Sequence, residues 1–169
     1  ASDVYKRQGQ YPWPNQEKIK IPGSEGVGFV HSIGQGVTDF KEGDRVSYVT
    51  PVGAYAEYAL ISAAHAVQIK VEVNDTDVVA STLKGLTAHY LLHLTFNLQS
   101  GMTALVHAAA GGVGQLMGQW GSEIGATMIG TVGGPDKAIA AKNAGYHHVI
   151  DYNDKDFVSE VMSITDNNK

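Results

Sequence analysis

Six residues, Ala109-Ala110-Gly111-Gly112-Val113-Gly114, follow directly on the apolar run Ala104-Leu105-Val106-His107-Ala108 and lead straight into a helical pattern. This is A-x-G-x-x-G in a strand–turn–helix setting, and the setting matters more than the glycines. At Gly111 and Gly112 the backbone can approach a pyrophosphate. Beyond Val113 the start of the helix offers free N–H groups and a favourable dipole, and Gly114 lets the helix pack close on the strand. The plain alternative is a glycine-rich turn that packs a helix and holds nothing.

The following strand pattern weighs against that alternative. Thr127 to Val132 runs into Gly133-Gly134, where a unit for the non-phosphorylated dinucleotide commonly carries an acid on the ribose 2′-hydroxyl. No acid stands there. Lys137 follows within one turn and suits a 2′-phosphate as a point charge, although Asp136 sits beside it. The pattern points to NADPH. Tyr152, just past the third strand, is placed to lie against the same ribose phosphate and adenine, or else simply covers the core.

The elements that would position these residues alternate. Strand patterns at Ala104–Ala108, Thr127–Val132 and His148–Asp151 are separated by helical patterns at Val113–Ile124 and Asp136–Ala144, and Asp156–Met162 follows as a last helix. Such alternation implies a parallel sheet with right-handed crossovers. A doubly wound dinucleotide fold uses six strands, and three are readable here. Before them the texture differs. Short β-like runs at Gly28–Ile33, Arg45–Thr50 and Ala54–Ile61, broken by turn signals, read as a small antiparallel barrel or sandwich. A helix capped at Asn74 or Asp75 is expected over Thr76–Leu83, and a second after Gly85.

Composition narrows the function classes. The 169 residues carry 43% hydrophobic and 17% charged side chains, an ordinary globular balance. Glycine, at 20 residues, exceeds the usual share of about 7%. A net charge of −5 provides no basic face for nucleic acid, and no apolar run reaches the roughly eighteen residues a membrane helix requires. Neither partner is expected. Cysteine is absent, so thiolate metal sites and disulfides are excluded. Ala1 is not a start methionine and Asn168-Lys169 follow a helix, so both ends read as truncated.

The whole pattern resembles the zinc-free quinone oxidoreductases and zeta-crystallins of the medium-chain dehydrogenase/reductase superfamily. The resemblance rests on Tyr11-Pro12, Gly23-Ser24-Glu25-Gly26, Gly43-Asp44-Arg45-Val46, Gly53-Ala54-Tyr55 and Lys84-Gly85-Leu86-Thr87. To these it adds His107 through Gly114 and Gly130-Thr131-Val132-Gly133. It implies an α/β fold: an N-terminally incomplete GroES-like β-barrel domain over residues 1–84, then the first half of a Rossmann-type parallel sheet over 85–169. Zinc enzymes of the superfamily carry Gly-His-Glu where this chain has Gly23-Ser24-Glu25. With Ser24 in place of the histidine and no cysteine, no metal is expected. His89 and His93 form an i, i+4 pair without a visible third ligand, and Glu25 and Arg45 read as ion-pair residues of the scaffold.

By the same resemblance, backbone around Gly112 and Val113 would hold the pyrophosphate, Gly133 through Lys137 would surround the 2′-phosphate, and Tyr152 and Tyr90 would contact the cofactor. Tyr5 and Tyr11 would flank the nicotinamide and the substrate. Tyr5 lies in an Asp-x-Tyr-x-Arg-x-Gly spacing that fits the family, while Asp3 to Gln8 is also what a transposon sequencing adapter encodes in one frame. The implied activity is NADPH-dependent hydride transfer to a small-molecule quinone by a cytoplasmic homodimer. Reduction of α,β-unsaturated carbonyls on the same fold, or NADPH binding without turnover, stays open. No residue reads as a convincing general acid.

Overall fold

The computed structural model describes residues 2–10, 21–70 and 72–166. Two compact units divide the chain, Ala1–Leu83 and Lys84–Lys169.

In the first unit a helix, α1 (Ser2–Arg7), precedes three short strands, β1 (Glu25–Phe29), β2 (Arg45–Val49) and β3 (Ala66–Gln68). They form one antiparallel sheet in the order β1-β2-β3, with Val27 opposite Ser47 and Val46 opposite Gln68. The expected strand over Ala54–Ile61 is not there. Backbone N–H groups of Gly53, Ala54 and Tyr55 donate to carbonyls at Ile21, Gly23 and Pro22, and beyond Tyr55 no ladder continues among the described residues. Alternating apolar residues define two faces but supply no partner for the backbone, and a strand requires both. Arg45 pairs through Nε with the Asp75 carboxylate at 2.9 Å, while Glu25 accepts the Leu83 N–H at 3.0 Å. Each thus anchors a sheet strand to helix α2 (Asp75–His89).

Helix α2 runs through Gly85 without a break, where two helices are expected from sequence. A lone glycine costs an interior helix about 1 kcal/mol, too little to end one that packing supports. The last turns widen into a π-helical stretch, Tyr90–Thr95.

The second unit holds β4 (Thr103–Val106), α3 (Gly112–Ile124), β5 (Thr127–Val132), α4 (Pro135–Asn143), β6 (His148–Asp151) and α5 (Phe157–Ile164). Its sheet is parallel in the order β4-β5-β6, with Val106 beside Gly130 and Val132 beside Asp151. Central β5 is buried on both faces from Met128 onward, the burial a parallel sheet covered on both sides demands. Helix α3 stops at Gly125, whose left-handed φ of 87° lets its N–H turn back to Gly121 and Ser122 carbonyls.

Helix α5 starts on Asp156, whose carboxylate accepts from the N–H groups of Val158 and Ser159 and from the Ser159 hydroxyl at 2.6 Å. The Ser159 hydroxyl first, then these N–H groups, hold the carboxyl below the usual carboxylate range. A carboxyl with a lower pKa folded than unfolded stabilises the fold above its unfolded value, and loses that contribution as pH falls through its folded value. Asp156→Ala is therefore expected to lower Tm at pH 7, with the gap to the parent closing as pH drops below about 3.9. Thermal unfolding across pH checks this.

Candidate functional site

Strand β4 delivers the chain to the glycine turn. Val106 ends the strand, Ala108 takes a left-handed φ of 54°, and Gly111 stands at the N-terminus of α3 with no side-chain cap. For a residue with a Cβ, that left-handed conformation costs about 1–2 kcal/mol. The turn is held by Gly111 N–H on the Ala108 carbonyl at 2.8 Å, by Ala109 N–H on the Thr131 carbonyl at 3.1 Å, and by Gln115 Nε2 on the Ala110 carbonyl at 2.8 Å. Gly112, Val113 and Gly114 occupy the first helical turn, where N–H groups have no intrahelical acceptor. They line an open cleft of about 480 Å³ together with His107, Gly111 and Leu91.

The glycines divide into two roles. A Cβ on Gly114 would stand 2.5 Å from the Ala108 carbonyl oxygen and 2.8 Å from that of Ala109, so this position serves close packing of helix on strand. Gly111 and Gly112 are exposed at the mouth of the cleft. Bare N–H donors on a 13-residue helix above a glycine floor suit a pyrophosphate in charge and in room.

The second turn lies at the ends of β5 and β6. Gly134, with φ of 122°, turns the chain into α4, and Pro135 opens the helix. The Tyr152 side chain covers Gly133 so closely that a Cβ there would meet its hydroxyl at 2.5 Å, and Tyr152 N–H donates to the Val132 carbonyl at 3.0 Å. Lys137 is exposed in the first turn of α4 and makes no ion pair among the described residues. Asp136 stands exposed beside Lys137 in the same turn, and Asp151, the last residue of β6, accepts the Asn153 N–H at 3.0 Å. These residues fit the 2′-phosphate of an adenosine ribose.

Tyr90 is exposed at the start of the π-helical stretch, and its neighbour Leu91 takes the place on the cleft wall. Tyr5 is an exposed residue of α1 in the first unit, and Tyr11 lies outside the described residues. His89 and His93 stack with ring centroids 5.1 Å apart, and both pack on Trp120 of α3. Among the described residues no three His, Cys, Asp or Glu gather as a metal site would require. Ser24 donates to the Pro51 carbonyl at 3.3 Å and stands 3.4 Å from the Lys6 ammonium.

Three residues to which the sequence gives no role support the turn: His107, Thr131 and Tyr146. Tyr146 is buried against Gly118 and Gly130, and its hydroxyl donates to the Gly114 carbonyl at 2.7 Å. Burial raises its pKa. Tyr146→Phe leaves that carbonyl without its partner at about 1–2 kcal/mol, so Tm is expected to fall by roughly 2–8 °C in thermal unfolding.

Comparison with known proteins agrees with this layout. Residues 1–72 match the alcohol dehydrogenase GroES-like domain, and a Rossmann-type parallel half sheet follows. It is 42% identical over 171 residues to a quinone oxidoreductase of Pseudomonas aeruginosa, which covers 99% of this chain and 51% of that protein. It is 40% identical over 167 residues to a 2-haloacrylate reductase of Burkholderia sp., covering 96% of this chain and 50% of that one. The crystal structure of Escherichia coli quinone oxidoreductase complexed with NADPH matches with a TM-score of 0.92 at 40% identity, over 99% of this chain and 51% of that one. The chain spans about half the length of the curated relatives it matches.

Proposed function

We propose that this chain carries the nucleotide-binding part of a zinc-independent NADPH:quinone oxidoreductase. The observation that carries the reading is the pair of turns at adjacent strand ends. One offers bare helix N–H groups for a pyrophosphate, and the other offers Lys137 and Tyr152 with no acid at the end of β5. When bound, the reduced nicotinamide supplies a hydride, and the quinone takes its proton from water to leave as hydroquinone. The residues here bind and orient: Gly112 and Val113 through backbone N–H, Lys137 through charge, Tyr152 by covering Gly133. Steady-state assays of the full-length protein test this, with NADPH oxidation by simple quinones as the expected result. A second reading, reduction of α,β-unsaturated carbonyls, is favoured by the 40% identity to the 2-haloacrylate reductase. Turnover of haloacrylates or enones with no detectable quinone reduction would establish that reading instead.

A further inference from the structure

Ala108 is strained, and both of its neighbours are tied to one residue. On one side, His107 Nδ1 lies 2.9 Å from Thr131 Oγ1. On the other, Ala109 N–H donates to the Thr131 carbonyl. Thr131 is 1% exposed, so its hydroxyl has no water to turn to. The His107 ring is in turn held edge-on by Phe157, with centroids 5.3 Å apart.

Left-handed backbone at a residue with a Cβ persists only where the surroundings over-determine it. Here the consequence is local and specific. The Ala108 carbonyl accepts the Gly111 N–H and lies directly beneath Gly114, under the first turn of α3. Rotation of Ala108 out of its left-handed state would swing that carbonyl away and unseat the helix N-terminus. Thr131, meanwhile, stands two residues before Gly133, where the second turn begins.

We infer that His107 and Thr131 form a clamp that keeps Ala108 left-handed and thereby sets the spacing between the pyrophosphate turn and the 2′-phosphate turn. His107 is a positioning residue on this account, and its nucleotide role rests on the reading of both turns as one NADPH site.

The test uses the full chain and two readouts. In thermal unfolding, Ala108→Gly relieves the strain and raises Tm by about 2–4 °C in the parent, but gives no rise in a His107→Ala background, where Ala108 has already relaxed. In binding titrations, His107→Ala and Thr131→Val each weaken NADPH by at least about tenfold, while 2′-AMP, which reaches only the second turn, stays within about twofold. His107→Asn, whose amide can meet Thr131 from the place of Nδ1, recovers NADPH binding to within about threefold of the parent. An equal Tm gain from Ala108→Gly in both backgrounds overturns the clamp. Parallel loss of NADPH and 2′-AMP without rescue by His107→Asn overturns the positioning role. If the parent binds no NADPH while the thermal cycle behaves as stated, the nucleotide reading falls and the clamp stands.

Discussion

Gly114→Ala is expected to destabilise the second unit by about 3 kcal/mol or more, because the added methyl meets backbone rather than a movable side chain. The Ala108 and Ala109 carbonyl oxygens, 2.5 and 2.8 Å from where that carbon would stand, belong to the turn itself and are already committed. Helix and strand would have to part, taking with them the Tyr146 hydrogen bond to the Gly114 carbonyl. Gly121→Ala supplies the internal control. There the obstruction is the Met128 thioether and not backbone, and repacking this buried side chain costs toward the low end of about 1–3 kcal/mol. Thermal unfolding of the two variants should therefore differ by several degrees. Equal losses would mean that α3 is not seated on the turn as described.

Lys137→Ala is expected to weaken NADPH by about 10- to 100-fold and NADH by no more than about threefold. A charge-assisted contact to a phosphate contributes about 1.5–3 kcal/mol, and only NADPH carries the 2′-phosphate. Position supports the size of the effect: Lys137 is exposed in the first turn of a helix whose dipole also favours an anion. Titration of both dinucleotides against parent and variant decides it, and equal losses would remove Lys137 from phosphate recognition. Lys137→Arg is expected to retain the preference, since a guanidinium also serves phosphate.

Much of the second unit can be read from the chain because its signals are local. Thr127–Val132 and His148–Asp151 are strands over the very residues the apolar runs mark, and the glycine turn declares itself because close packing at Gly114 tolerates nothing larger. The supports of that turn are not local. Thr131 reaches His107 across 24 positions and Tyr146 reaches Gly114 across 32, and no periodicity links residues so far apart. Tyr146 looks in sequence like any aromatic after a glycine. In the first unit the error at Ala54–Ile61 has the same root, since side-chain alternation says which way residues face and nothing of what their backbone bonds to. The Gly85 boundary fails for a different reason, because propensity is a small term beside packing.

The spacing of the buried glycines on α3 carries one more consequence. Gly114 rests on the turn, Gly118 on the Tyr146 ring and Gly121 on Met128, so the helix touches its bed at three points along one line. From Gly114 to Gly121 the axis runs roughly 10 Å. A helix seated at three points has its tilt fixed, so the direction of the N–H groups at its first turn is settled by packing along the whole helix and not by the turn alone.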